Sequence, residues 1–158
     1  MPIYHFEIET CLTSQAAIAR IRDMVGPPRS FLQGVWTGGA ASPPFIGKVE
    51  RDSFRVRRDI RYRNSFQPLI WGRITNEPME THVNVTMFIH PVVALFMLLW
   101  FSGIGSSVVT FSNPLHPMLI VPAGLLIFGV ALVCGGFFPE AIKARRLLEQ
   151  GLAKPTGA

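Results

Sequence analysis

Five arginines carry most of the chemistry open to this chain. Arg55, Arg57, Arg61 and Arg63 share one parity within Ser53–Arg63 (SFRVRRDIRYR), and Arg73 follows in the next apolar stretch. In an extended strand, residues of one parity line one face. At about 3.3 Å per residue the first four arginines lie within about 26 Å. Guanidinium groups bind phosphate and carboxylate through paired hydrogen bonds. Such a stripe therefore suits an acidic protein patch or anionic lipid headgroups. The plainer alternative is a solvated sheet face, partly neutralised by Asp59. Four like charges on one strand repel each other unless something opposes them.

The segment that follows, Tyr62-Arg63-Asn64-Ser65-Phe66-Gln67-Pro68, is dense in side chains that fix backbone groups in turns. Tyr62, Asn64, Ser65, Phe66 and Pro68 are assigned to a structural turn, with a ligand-binding corner as the sharper alternative. Other chemistry is thinly represented. The chain has no Gly-x-Ser-x-Gly elbow, no phosphate loop and no framed carboxylate pair. Glu7 and Glu9 lie near an early strand without an evident partner. His5, His82, His90 and His116 are scattered, and His90 and His116 fall at opposite ends of one apolar run. Cys11 and Cys134 are too far apart in context to suggest a disulfide, and no zinc spacing occurs. No catalytic residue, metal site or cofactor is expected.

The elements that position these residues follow from periodicity. Ile3–Ile8 alternates as a half-buried strand. Ala17, Ile18, Ile21, Met24 and Val25 recur at helical spacing, so a helix is expected over about 14–25, capped by Thr13 or Ser14 and stopped at Gly26-Pro27-Pro28. Residues 26–44 read as a loop, with Phe31 and Trp36 either packing it onto the domain or anchoring it elsewhere. Strands are expected at 45–50, 53–63, 66–75 and 80–89, with Thr81, Val83, Val85, Met87 and Ile89 on one side of the last. Apolar matching favours Tyr62 opposite Pro68, Ile60 opposite Ile70 and Val56 opposite Ile74, with a three-residue loop near Asn64–Phe66. It likewise sets Thr75 opposite Glu80, Ile70 opposite Val85 and Ile74 opposite Thr81. Pro68 lacks an N–H and must face a gap, a bulge or an edge.

Beyond Arg73 there is no Lys or Arg until Lys143, and beyond Glu80 no acid until Glu140. A helix of about 20 apolar residues crosses a hydrocarbon core of about 30 Å. Two runs meet that length, Pro91–Phe111 and Pro117–Phe138, joined by Ser112–His116. The expected fold is therefore an α+β membrane protein: a mostly antiparallel β-meander with one short helix over 1–90, a transmembrane helical hairpin over 91–138, and a short amphipathic helix and tail over 139–158. The small-xxx-small pairs Gly103/Ser107 and Ala131/Gly135 are candidate helix-packing sites. Trp100 falls mid-span, and Pro122 is a candidate kink. Pro139-Glu140 reads as the start of the last helix, with Ile142, Leu148 and Leu152 on its apolar side, lying in the interface or docking under the sheet.

Of fifteen basic residues, eleven precede the hairpin, four follow it and none lies in the link. The positive-inside rule then puts both termini in the cytoplasm of a bacterial-type plasma membrane. The formal net charge of +5, beside two spans, points to anionic headgroups or an acidic partner rather than to nucleic acid.

The stretch from Phe45 to Pro91 resembles a group of small uncharacterised bacterial two-span membrane proteins. The likeness rests on the Phe45-Ile46-Gly47 strand, the Tyr-Arg-Asn-Ser-Phe-x-Pro turn at Tyr62–Pro68, and the His90-Pro91 lead-in to the paired spans. The resemblance implies a cytoplasmic β-rich module fused to a hairpin, and no activity. The function expected is that of a non-catalytic accessory or assembly subunit of a larger membrane complex, a bioenergetic one being one such host. Its partners would be lipids and other membrane subunits, with no small-molecule substrate. The alternative is a membrane-tethered module that binds lipid or a small ligand.

Overall fold

The computed structural model describes residues 2–27, 43–60, 62–76, 81–110 and 119–153. Six strands form one open sheet, β1 (Ile3–Thr10), β2 (Val25–Gly26), β3 (Phe45–Val49), β4 (Ser53–Arg58), β5 (Pro68–Asn76) and β6 (Thr81–Ile89), in the order β1-β6-β5-β4-β3-β2. All neighbours are antiparallel except β2 and β3. Three helices complete the chain: α1 (Ser14–Asp23), α2 (Pro91–Thr110) and α3 (Ile120–Leu152).

Alternation fixes which face of the sheet is covered. Phe6 and Ile8, Phe54 and Val56, Ile70 and Ile74, and Val83, Val85 and Met87 are buried on the inner face. Residues of the other parity point outward. The inner face is covered by α1, through Ala17, Ile18 and Ile21, and by the second half of α3. Thr13 caps α1 by accepting from the Ala16 N–H at 3.3 Å. The helix stops at Asp23, two residues before the expected end, because Val25–Gly26 leaves it to pair with Phe45–Ile46 as a short parallel edge strand.

Three expectations are corrected. First, β4 ends at Arg58 rather than running to Arg63. Its register puts Val56 opposite Ile70 and Phe54 opposite Gly72, not Val56 opposite Ile74, so the connection to β5 spans residues 59–67. The β5–β6 register is also displaced, with Ile70 opposite Met87 and Ile74 opposite Val83. Both displacements are by an even number of residues, so every side chain within the paired strands keeps its expected face. Apolar matching cannot separate registers that differ by two residues. Pro68 accounts for where the β4–β5 ladder ends: continued pairing would set it against Arg58, and it has no N–H to give. The Gln67 side chain supplies the donor instead, its Nε2 reaching the Arg58 carbonyl at 2.5 Å. Gly72 is needed opposite Phe54, since a Cβ there would lie 2.0 Å from the ring.

Second, no separate helix begins at Pro139. α3 runs unbroken for 33 residues with Pro139 inside it. Phe137, Ala141, Ala144, Leu148 and Leu152 are fully buried against the sheet and α1, whereas Ile142 is 45% exposed. The distal half of α3 therefore docks under the sheet. Its C-terminal carbonyls are held by Thr10, whose hydroxyl donates to Leu152 at 3.1 Å, and by Arg20, which donates to Ala153 at 3.3 Å. A cation at this end also suits the helix dipole. Arg145 ties α3 to β1 through the Tyr4 hydroxyl at 2.7 Å and the Phe6 ring at 5.2 Å.

Third, Pro122 sits in the first turn of α3, where no intrahelical N–H is lost, so it introduces no mid-helix kink.

α2 and the first part of α3 are long and apolar enough to cross a membrane. They meet where Phe101 and Trp100 seat on Gly129, at 3.1 and 3.4 Å from where its Cβ would stand. Trp100 is half-buried in this seam, with an unpartnered indole N–H. The expected small-residue pairs lie elsewhere. Gly103, Ala131 and Gly135 are exposed, nothing stands within 4 Å of a Cβ at either glycine, and the half-buried Ser107 bonds back to its own helix at Gly103. The link Ser112–His116, the segment holding Phe31 and Trp36, and the turn with Pro78 lie outside the described residues.

Candidate functional site: a basic sheet face and a turn clamped onto a helix

Register sorts the arginines into two groups. Arg55, Arg57 and Arg73 project from the outer face of β4 and β5, joined there by Lys48 of β3. Lys48, Arg55 and Trp71 form one cross-strand row, and the Arg55 guanidinium lies 4.7 Å from the centre of the Trp71 ring. Trp71 is 48% exposed and meets Phe88 edge-on at 5.0 Å. None of the four cations has an ion-pair partner among the described residues. The acidic residues of this face lie at the far edge, on β1, where Glu7 bonds His82 at 2.8 Å. The outer face is thus basic over β3–β5 and acidic along β1.

Arg63 does not belong to this stripe. With β4 ending at Arg58, Arg63 lies in the 59–67 connection, exposed. Arg61 lies outside the described residues.

The turn is built on α3. Asn64 accepts from the Phe66 N–H at 3.0 Å through its side-chain oxygen, and its carbonyl accepts from the Gln67 N–H at 3.2 Å. Its side-chain amide donates to the Gly136 carbonyl at 2.8 Å. Phe66 packs directly on Gly136, where a Cβ would come within 2.8 Å of it. Pro68 is fully buried at the start of β5. Tyr62 reaches α3 at the next turn, its hydroxyl donating to the Glu140 carboxylate. Three of the five assigned turn residues, Tyr62, Asn64 and Phe66, therefore converge on one patch of α3, Pro68 is buried at the head of β5, and Ser65 lines the adjoining pocket.

Glu140 and Arg58 are the residues missed at the sequence level. Glu140 is only 2% exposed, and its second oxygen takes Arg58 Nη1 at 2.5 Å, with Lys143 3.5 Å from the first. A buried carboxylate without partners costs several kcal/mol, so this constellation is what permits an acid beneath the sheet. The Tyr62 phenol is held above its ordinary pKa, chiefly because its proton is bonded to the Glu140 carboxylate and secondarily by burial. A signal for both residues was present. Arg58 shares the inward parity of Phe54 and Val56, and Glu140 is the first acid after Glu80. A base on an apolar face requires an acid facing it.

Beside the turn is a pocket of about 280 Å³, lined among others by Arg57, Asp59, Arg63, Ser65 and Gln67. Among the described residues, no three His, Cys, Asp or Glu side chains gather to hold a metal ion. The turn and Arg58 together fasten the sheet to α3, and exposed cations line the pocket beside them.

No family model matches the chain, and neither a curated protein nor a solved structure shows significant similarity to it.

Proposed function

We propose that this protein is a non-catalytic accessory or assembly subunit of a larger membrane complex, seated in the bacterial plasma membrane with both termini in the cytoplasm. α2 and the apolar part of α3 are its spans. The sheet docks an acidic cytoplasmic surface of a neighbour.

One observation carries this reading: an exposed tryptophan, Trp71, ringed by Lys48, Arg55, Arg57 and Arg73 with no ion pair among the described residues. Tryptophan and arginine are the residue types that dominate binding at protein interfaces. Because α3 passes without a break from its apolar half to the sheet, the sheet is held rigidly to the spans. A partner that runs through both membrane and cytoplasm can therefore meet two faces fixed in register. The exposed Gly103 and Gly135 suit close helix approach on the membrane side.

The test is extraction from native membranes in mild detergent, followed by a native gel and mass spectrometry of the band. Migration with larger companions is expected, and the combined Arg55→Gln, Trp71→Ala and Arg73→Gln variant should leave that band while still folded. A wild-type protein that migrates alone defeats the proposal. For orientation, a membrane-impermeant thiol reagent should reach the exposed Cys11 only from the cytoplasmic side.

A second reading, a membrane-tethered ligand-binding module, draws on the pocket beside the 59–67 turn. A monomer that carries a small molecule through purification would favour it over the first.

A further inference from the structure

We propose that the pocket beside the 59–67 turn binds a phosphate group at the membrane surface, presented by an anionic phospholipid. The inference rests on reading α2 and α3 as spans, and not on the existence of a partner complex.

Position is the first argument. The turn is fastened to α3 at Gly136 and Glu140. Those residues bracket the end of the apolar run: Phe137 and Phe138 precede Pro139, and Glu140 is its first ionisable side chain apart from Cys134. At about 1.5 Å per residue, Gly136 and Glu140 differ in height by only about 6 Å. The other end of the sheet module agrees. β5 starts at Pro68 directly opposite Ile89, and Ile89 is followed by His90 and then α2. Two independent chain crossings therefore put the turn at the level where a span leaves the hydrocarbon, which is the level of headgroup phosphates.

Chemistry is the second. Arg58 is already committed to Glu140, and the Asn64 and Gln67 amides to Gly136 and Arg58. Arg57 and Arg63 are exposed, line the pocket and have no ion-pair partner among the described residues. With the Ser65 hydroxyl they give the pocket uncommitted donors of the kind that bind phosphate oxygens. Asp59, also in the lining, has a partner of its own. Because the turn backbone is pinned by Asn64, Phe66 and Tyr62, these donors are presented without a large ordering cost. The negative potential of the cytoplasmic leaflet adds to the attraction.

The experiment uses the full chain in neutral detergent. Native mass spectrometry reads retained lipid after incubation with phosphatidylglycerol or phosphatidylcholine, and a thermal shift reads protection by these lipids and by inorganic phosphate. Phosphatidylglycerol should be retained in preference. Arg57→Gln with Arg63→Gln should reduce retention roughly tenfold or more, while Arg22→Gln, exposed on α1, should leave it unchanged. Both variants should keep the wild-type unfolding midpoint without lipid, since all three arginines are exposed and have no ion-pair partner among the described residues. Protection by phosphatidylglycerol but not by inorganic phosphate identifies the headgroup as the source; equal protection by both identifies free phosphate and overturns the lipid assignment. Equal retention of phosphatidylglycerol by the wild type and the double variant overturns the site altogether. Because Arg57 also borders the docking face, Arg63→Gln alone separates the two: reduced lipid retention with the larger native-gel band intact is expected, and unchanged retention overturns the part given to Arg63.

Discussion

Arg58 and Glu140 meet at 2.5 Å, although 82 residues separate them. The arginine is the last residue of β4 before the 59–67 connection, and the acid lies two residues beyond Phe138, where the apolar part of α3 ends. The pair is therefore the electrostatic joint between the sheet and the long helix.

Breaking that joint from one side should be costly. Glu140→Ala leaves Arg58 and Tyr62 facing a cavity, and Arg58→Gln removes the closest cation from a carboxylate with 3% of its side chain exposed. Each should destabilise the folded chain by about 3–5 kcal/mol, read as a lowered unfolding midpoint in detergent. Arg58→Gln with Glu140→Ala together should cost less than the sum of the single changes. Full additivity would mean the pair is not coupled.

The seat of the turn can be tested at two adjacent glycines. Gly136→Ala places a methyl 2.8 Å from Phe66 Cβ and 2.9 Å from its ring, against nothing within 4 Å for Gly135→Ala. The first should lose about 1–3 kcal/mol through overpacking, and the second should be neutral or slightly stabilising in the isolated protein. If Gly135→Ala leaves stability intact but weakens co-migration with a larger complex, the exposed small-residue face is a helix-docking surface.

Tyr62 gives the fold an alkaline limit. Its pKa is raised above the ordinary value of 10.0, so the folded state holds the phenolic proton more tightly than the unfolded state does. The stabilisation is complete below about pH 10 and is lost as pH rises through the raised folded value. The chain has only Tyr4 and Tyr62, so an ultraviolet tyrosinate titration resolves the step. Tyr62→Phe should remove the late-titrating component and flatten stability at high pH. A late component that survives this change would overturn the assignment to Tyr62.

Local sequence determined a great deal here. Alternation fixed the inner and outer faces of β1, β4, β5 and β6, because side-chain parity depends only on local extension. The long gap in charge marked α2 and the apolar part of α3, because twenty uncharged residues have few other uses. The turn at Tyr62–Pro68 was legible as a turn, and Pro68 as the place where a ladder must break.

Tertiary structure decided the rest. Strand register was not legible, since a shift of two residues keeps every face apolar, and the fit of the Phe54 ring over Gly72 exists only once the two strands are side by side. Nor was the unbroken course of α3. Pro139 reads locally as a beginning, yet it continues a helix whose Phe137, Ala141, Ala144, Leu148 and Leu152 are buried by strands from the other end of the chain. The site itself is long-range: Glu140 acquires its role only when Arg58 and Tyr62 arrive beside it, and no local pattern carries a distance between residues so far apart in sequence.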